Sequence, residues 1–99
     1  MVKRLNAFER LLDTTVRNMG SSVGKIASFL TTRRIRGVVE DSEYCAIAVY
    51  LRKELGESDV EVGDTITVNG VSITTPKAAY AFEAAFDEGK YPDLIQRSK

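Results

Sequence analysis

The chain has 99 residues, of which 43% are apolar and 28% are charged, and its formal net charge is zero. These values are typical of a single globular domain with one hydrophobic core, so they exclude a disordered chain and a disulfide scaffold. With one cysteine, Cys45, and no histidine, the sequence also excludes an internal disulfide, a four-thiolate metal site and catalysis with histidine as the general base.

Two amphipathic helices are predicted in the first third of the chain. Apolar side chains recur every three or four positions over Leu5–Met19, as the buried face of a helix requires. Ser21-Ser22 can cap a second helix that ends near Thr31. We expect residues 33–41 to form a connector whose apolar side chains approach the core. Those side chains are Ile35, Val38 and Val39.

A third helix is predicted before the middle of the chain. Asp41 or Ser42 can cap its start, and Gly56 can end it after Leu55. Its polar face, which includes Arg52, is expected to lie in water. Its inner face is expected to hold Tyr44, Ile47, Ala48, Leu51 and Leu55.

The segment Thr65–Thr74 predicts a β-hairpin. Asn69-Gly70 suits a type I′ turn, in which both central residues have positive φ. A two-residue turn pairs Val68 with Val71, so one face of the hairpin is aliphatic and the other carries hydroxyl groups. In residues 60–62 valine alternates with an acidic residue, which indicates either a short third strand or a lead into the hairpin.

A fourth helix is predicted between Thr75-Pro76, where proline suits the first turn, and Gly89, which suits the end. The residues from Tyr91 to Ile95 are too apolar for a free tail, so we expect them to fold back on the domain. The prediction is an α+β fold in a single domain over residues 1–99. It has three N-terminal helices, the antiparallel hairpin and a C-terminal helix.

The zero net charge conceals a division between the two halves of the chain. Residues 1–39 carry eight basic and two acidic side chains, a net charge of +6, and residues 40–99 carry the opposite net charge. Such asymmetry suggests a charged partner. The basic residues of the first half are interpreted either as a phosphate-binding surface, because clustered guanidinium groups bind phosphates, or as part of an ordinary solvated connector. The candidate nucleic-acid-binding residues are Arg17, Lys25, Arg33, Arg34 and Arg36.

Acidic side chains gather in the second half, before the hairpin. Their spacing lacks the alternate ligands and central glycine of an EF-hand, so no metal site and no cofactor are predicted. They form either a solvated acidic edge or a surface that imitates phosphate and occupies a basic groove on a partner. The candidate partner-binding residues are Arg33, Arg34, Arg36, Glu57, Asp59 and Glu61.

Cys45 falls in the first turn of the predicted third helix, where the helix dipole favours a thiolate. Glu40, Asp41 and Glu43 oppose that effect, and no histidine is present to activate the thiol. A buried structural cysteine is therefore favoured over a nucleophile. No catalytic residue is predicted.

Three segments of the second half share a pattern with known proteins. They are residues 45–51 (CAIAVYL), the hairpin with its lead at residues 60–63 (VEVG), and residues 86–94 (FDEGKYPDL). Together they resemble a group of small uncharacterised proteins of actinobacteria and their phages. In that group the cysteine is usually followed by proline, so Ala46 departs from the pattern. The resemblance implies a small intracellular protein of a phage or mobile element, and it implies no activity.

Small size, missing catalytic groups and divided charge favour a cytoplasmic binding protein over an enzyme. We expect it to interact with or inhibit a host macromolecule, such as an unidentified host protein, without catalysis. The alternative is a regulatory protein that binds nucleic acid through the basic N-terminal half. No run of eighteen apolar residues predicts a membrane span. A homodimer stays open, because Leu11, Phe29 and Tyr50 lie beside the predicted inner faces.

Overall fold

The structure is a computed structural model that describes residues 7–96. The described part is α+β, as predicted, and the predicted helix start at Leu5 lies outside it. The helices are α1 (Ala7–Arg17), α2 (Val23–Thr32), α3 (Ala46–Leu55) and α4 (Lys77–Asp87). The strands are β1 (Val60–Val62), β2 (Thr65–Val68) and β3 (Val71–Thr74), and a short 3₁₀ helix spans Pro92–Leu94.

The hairpin forms with the predicted register. Val68 pairs with Val71 across a turn in which φ is 54° at Asn69 and 82° at Gly70. Residues 60–62 form a third strand that pairs antiparallel with β2, so the sheet order is β1-β2-β3. The alternation of side chains brings the aliphatic residues to one buried face. They are Val60, Val62, Ile66, Val68 and Ile73.

The helices build the hydrophobic core on this aliphatic face. α1 packs against β3 and α3 against β1, while α2 packs against α4, α3 and the 3₁₀ helix. Burial of each large apolar side chain contributes about 1.5–3 kcal/mol, which makes this core the main source of stability. The largest fully buried side chains include Phe82, Phe86, Leu12, Met19, Ile26, Leu30, Ile47 and Leu51.

α3 starts at Ala46, later than a helix capped by Asp41 or Ser42 would start. Asp41 caps a separate turn, in which its Oδ1 accepts hydrogen bonds from the N–H groups of Glu43 and Tyr44 at 2.9 and 3.1 Å. Tyr44, which was predicted to face inward, is consequently 49% exposed.

The reason for this late start is tertiary. The Ser42 carbonyl accepts a hydrogen bond of 2.8 Å from the Val62 N–H group in β1. The Tyr44 carbonyl accepts one of 2.7 Å from the Val38 N–H group in the connector. A helix that began at residue 42 would need these carbonyls for its own hydrogen bonds four residues later. Contacts with β1 and with the connector therefore replace the first predicted turn of the helix.

Arg52 lies against the outer edge of β1, which corrects the prediction that it lies in water. The side chain is half-buried, and its Nη2 donates a hydrogen bond of 3.3 Å to the Val60 carbonyl. Its other nitrogens donate to the carbonyls of Ser58 at 2.5 Å and Glu43 at 3.2 Å. One arginine thus satisfies three carbonyl groups and covers part of an edge that could otherwise pair with another strand.

The connector after α2 lies between α3 and the C-terminal segment. The Gly37 N–H group donates a hydrogen bond of 2.8 Å to the Leu94 carbonyl, and the Gly37 carbonyl accepts one of 2.7 Å from Gln96. This bridge confirms that the residues after α4 fold back on the domain. Of the three apolar connector side chains, Ile35 is buried and Val38 is 39% exposed. The third, Val39, is half-buried.

Candidate functional site

α2 ends in a Schellman motif, a pair of hydrogen bonds that turns the chain sharply. The Arg34 N–H group donates to the Thr31 carbonyl, and the Ile35 N–H group donates to the Leu30 carbonyl, both at 3.0 Å. Leu30 and Ile35 are buried, in agreement with the apolar contact that accompanies this motif. The motif fixes where the next residues leave the helix.

Arg34 occupies the position at which this motif usually has glycine. Its φ is 58°, in the left-handed region that costs a residue with a Cβ atom about 1–2 kcal/mol. The side chain is exposed and forms no ion pair with any of the described carboxylates. Nothing in its packing explains an arginine here, so the exposed guanidinium is what the residue contributes.

Arg33, Arg34 and Arg36 form a surface that we call the arginine cluster. All three side chains are exposed, and the ion pairs of the described residues do not include them. Arg34 and Arg36 line one groove, with a volume of about 660 Å³. The other residues of that groove are Thr31, Ile35 and Asp93.

Arg33 lies on the aromatic ring of Phe29, and neither residue is among those that line the groove. The guanidinium carbon of Arg33 is 3.5 Å from the centroid of the Phe29 ring. Phe29 in turn meets the Tyr50 ring edge to face, with centroids 5.1 Å apart and planes at 89°. Tyr50 is only 5% exposed, so the stack is fixed in the core at one end and open to solvent at the other.

The chain around α2 carries no carboxylate. Between Asp13 and Glu40 the sequence has five basic side chains and no acidic one. The exposed side chains of α2 are either basic or hydroxyl-bearing, which gives its solvent face a single sign of charge together with hydrogen-bond donors. These exposed residues are Lys25, Ser28, Thr31 and Thr32.

Two of the predicted basic residues lie apart from the arginine cluster. Lys25 is in the first turn of α2, and a helix of ten residues is about 15 Å long. Arg17 lines a separate cavity of about 270 Å³ with Gly20, Ser21 and Lys77. Any ligand that contacts all five predicted residues would therefore have to run along the whole of α2.

The predicted acidic residues lie around the turn end of the sheet and on its solvent face. The Glu57 Oε2 accepts a hydrogen bond of 2.7 Å from Asn69 Nδ2, and the Asp59 carbonyl accepts one of 2.9 Å from the Asn69 N–H group. Glu61 is exposed in the middle of β1, opposite Thr67. Glu57 thus braces the hairpin turn, while Glu61 faces solvent.

Sequence reasoning missed an acidic groove between α4 and β1. Two adjoining cavities of about 280 and 420 Å³ share Val62, Glu83 and Asp87 as lining residues. Asp87 also accepts a hydrogen bond of 2.8 Å from the Glu40 N–H group. Distant parts of the sequence supply the carboxylates, so no local pattern indicates them. They belong to Glu40, Asp41, Asp64, Glu83 and Asp87.

Glu83 is the unusual member of this groove, because it lies on the inner side of α4 beside Phe82 and Phe86. Its Oε1 is buried without a hydrogen-bond partner in the described part of the chain. The pKa of Glu83 is raised to about 7, mainly by burial. A hydrogen bond with the Cys45 thiol lowers the pKa, and the negative charge of Asp87 raises it further. Helical spacing is the signal that could have found it, since a glutamate next to two core phenylalanines falls on the buried stripe.

Cys45 faces Glu83 from the start of α3, where it is the N-cap residue and is 1% exposed. Burial raises the pKa of the Cys45 thiol, and the negative charge of Glu83 raises it further. The amide groups of Ala48 and Ile47 oppose these two effects and do not outweigh them. The prediction of a buried cysteine is confirmed, and a thiol that resists ionisation is a poor nucleophile.

Residues 7–96 contain neither a metal-binding cluster nor a membrane-spanning helix. In that part of the chain no three cysteine, aspartate or glutamate side chains are arranged to hold a metal ion. None of its helices combines the length and the apolar character that crossing a bilayer requires. No protein-family model, curated protein or solved structure matches this chain.

Proposed function

We propose that this chain is a non-catalytic protein that binds nucleic acid of a host cell through the arginine cluster. Arg34 carries the proposal, as an exposed arginine in a left-handed position that glycine would occupy at lower free energy. A residue type that departs from the preference of its backbone conformation is expected where the side chain itself has a function. The resemblance to proteins of phages and mobile elements supports a host macromolecule as the target.

The chemistry of the arginine cluster suits phosphate. A guanidinium group presents a planar fork of donors that matches two phosphate oxygens, and here three of them occur within four positions. Because no described carboxylate pairs with them, phosphate binding would release counterions and would break no ion pair. The exposed hydroxyl group of Thr32 precedes the cluster and can donate a further hydrogen bond, whereas the Thr31 hydroxyl already donates to the Ala27 carbonyl at 2.7 Å.

The attraction has to be local, since the whole chain has a net charge of zero. A neutral protein gains no long-range steering from its total charge, so binding depends on a surface from which carboxylates are excluded. Residues 14–39 contribute no carboxylate to such a surface. Asp93, at the groove wall, is the nearest exception among the groove residues.

Fluorescence anisotropy with a labelled oligonucleotide tests the proposal. Three phosphate contacts predict that the logarithm of the affinity falls with the logarithm of salt concentration with a slope of about −2 to −3. Replacing Arg33, Arg34 and Arg36 together with alanine is expected to lower affinity by about 100-fold and to flatten the slope. Lys53→Ala, which removes an exposed positive charge from α3, is the matched control and should change neither quantity.

Arg34→Gly sharpens this test because its effects on stability and on binding are opposite. Glycine adopts the left-handed conformation freely. The free energy of unfolding of the variant should therefore be about 1 kcal/mol higher than that of the wild type. It should also bind the oligonucleotide about tenfold more weakly, through the loss of one phosphate contact. A more stable variant that binds as tightly as the wild type would show that Arg34 has no role in binding.

A host protein with a basic segment is the second candidate partner, and the observation that favours it is the acidic groove. Carboxylates that repel nucleic acid would attract an arginine-rich segment by the same electrostatics. Titration with an arginine-rich peptide separates the two candidates. Binding that is weakened by Glu40→Gln together with Asp64→Asn, which neutralise two exposed carboxylates of the acidic groove, supports the protein partner. Oligonucleotide binding without peptide binding supports nucleic acid.

A further inference from the structure

We infer that the Arg33–Phe29 stack is a platform for an unpaired base, so that the arginine cluster binds single-stranded nucleic acid in preference to duplex. This inference rests on the proposed function and names the class of nucleic acid. At 3.5 Å from the centroid of the Phe29 ring, the guanidinium carbon of Arg33 is in van der Waals contact with the face of that ring. One face of the guanidinium is therefore covered, and the other face is available to a ligand.

The platform is rigid, as a stacking surface needs to be. Phe29 is half-buried and is held edge to face against Tyr50, which is itself in the core. The guanidinium of Arg33 has no ion pair with a described carboxylate that would draw it off the ring. Bases stack on guanidinium planes as they do on aromatic rings, and every base has a face that can do so.

The phosphate-binding groups lie next to this platform. Arg34 follows directly in the sequence, and it shares a groove with Arg36. That groove, at about 660 Å³, falls within the size range of sites for small organic ligands. A strand whose base lies on Arg33 can thus place an adjacent phosphate between the other two arginines. The charges of Arg34 and Arg36 and the stacking surface of Arg33 thus occur within four positions of the chain, and single-strand binding proteins use such a combination of charge and stacking.

The position of the cluster disfavours a duplex. Proteins that read duplex DNA with a helix place the N-terminal part of that helix in the major groove. In this fold the arginines follow the C-terminal end of α2, in the sharp turn created by Arg34. The charge is thus concentrated at a turn beside a concave groove and not on a protruding helix of the kind that enters the major groove.

The test compares oligo-dT, oligo-U and a duplex of equal length in fluorescence anisotropy at one salt concentration. The single strands are expected to bind about tenfold more tightly than the duplex, which corresponds to stacking of one base. Oligo-dT and oligo-U distinguish DNA from RNA, and preference for either one supports the inference. Equal affinity for single strands and duplex overturns it.

Arg33→Lys isolates the stack, because lysine keeps the positive charge and removes the planar group. This variant should lose about tenfold in affinity for oligo-dT and keep its affinity for duplex. Arg10→Lys is the matched control, since it makes the same exchange at an exposed arginine of α1 outside the arginine cluster, and it should leave both affinities unchanged. Equal losses in the two variants overturn the inference.

A spectroscopic readout separates stacking from simple charge. An oligonucleotide that contains 2-aminopurine loses fluorescence when that base stacks, so the wild type should quench it and Arg33→Lys should not. If wild-type protein binds neither single strands nor duplex, the proposed function fails and the inference fails with it. If it binds both equally and without quenching, only the inference fails.

Discussion

Gly37→Ala is expected to lower the free energy of unfolding by about 3 kcal/mol, because the added methyl group would overlap backbone atoms. A Cβ atom at this position would lie 2.7 Å from the Ala46 Cα atom and closer still to the Ala46 nitrogen and the Cys45 carbonyl carbon. All three are backbone atoms of the helix start. No side chain can rotate away to make room, so the connector and α3 would have to separate.

The connector cannot move away from α3 without a second loss. On its far side Gly37 forms two backbone hydrogen bonds with the C-terminal segment, through Leu94 and Gln96. Shifting it would stretch both bonds and disturb the packing of Leu94, which is 1% exposed. The added methyl group therefore either overlaps the start of α3 or detaches the residues after α4, and both outcomes lower stability.

Thermal or urea-induced unfolding measures this effect. For a domain of this size about 3 kcal/mol corresponds to a fall in Tm of about 15 °C. Gly24→Ala is the matched control, because a Cβ atom at Gly24 would have no heavy atom within 4 Å. Gly24 lies in α2, where alanine is favoured over glycine, so this variant should gain up to about 1 kcal/mol. Similar Tm values for the two variants would contradict the close approach at Gly37.

Local signals explain which elements could be predicted from the sequence. Asn69-Gly70 and the alternating residues around it specify a turn and a register within ten positions, and the structure reproduces both. The start of α3 could not be predicted in the same way. Asp41 has the chemistry of a helix cap, but the carbonyl groups after it bond to β1 and to the connector. Partners distant in sequence decided this boundary.

The candidate site shows the same division. The arginine cluster was evident, because Arg33, Arg34 and Arg36 are neighbours in the sequence. The left-handed conformation of Arg34 was not, since the spacing of residues does not reveal that the motif places a non-glycine residue there. The acidic groove was missed for a related reason. Its carboxylates come from the connector, the loop before β2 and α4, and only the fold brings them together.

The free energy of unfolding of the wild type is expected to fall between pH 4.5 and pH 7, and Glu83→Gln is expected to abolish most of this fall. Burial raises the pKa of Glu83 from its ordinary value of 4.5 to about 7 in the folded protein. In this window the unfolded chain releases its proton while the folded protein keeps it, so folding becomes less favourable as pH rises. The contribution of protonated Glu83 to the free energy of unfolding is fully present below pH 4.5. It is lost as the pH rises through about 7, which lowers the free energy of unfolding by about 2–3 kcal/mol.

Burial is the main cause of the raised pKa of Glu83, and the groups that face Glu83 modify it. The Cys45 thiol lowers the pKa of Glu83 but does not offset burial, and Asp87 adds repulsion. Glu40 and Asp41 line the same groove, so carboxylates approach Glu83 from the connector as well as from α4. No basic side chain lines either cavity of the groove in the described part, which leaves protonation as the available way to relieve the buried charge.

Urea-induced unfolding at pH 5 and at pH 8 measures the difference. Glutamine has nearly the shape of a protonated glutamate, so the variant should match the wild type at pH 5 and exceed it by about 2 kcal/mol at pH 8. Glu61→Gln, which removes an exposed carboxylate from the solvent face of the sheet, should leave the wild-type difference between the two pH values in place. An unchanged pH dependence in Glu83→Gln would mean that the carboxylate is solvated in the folded state.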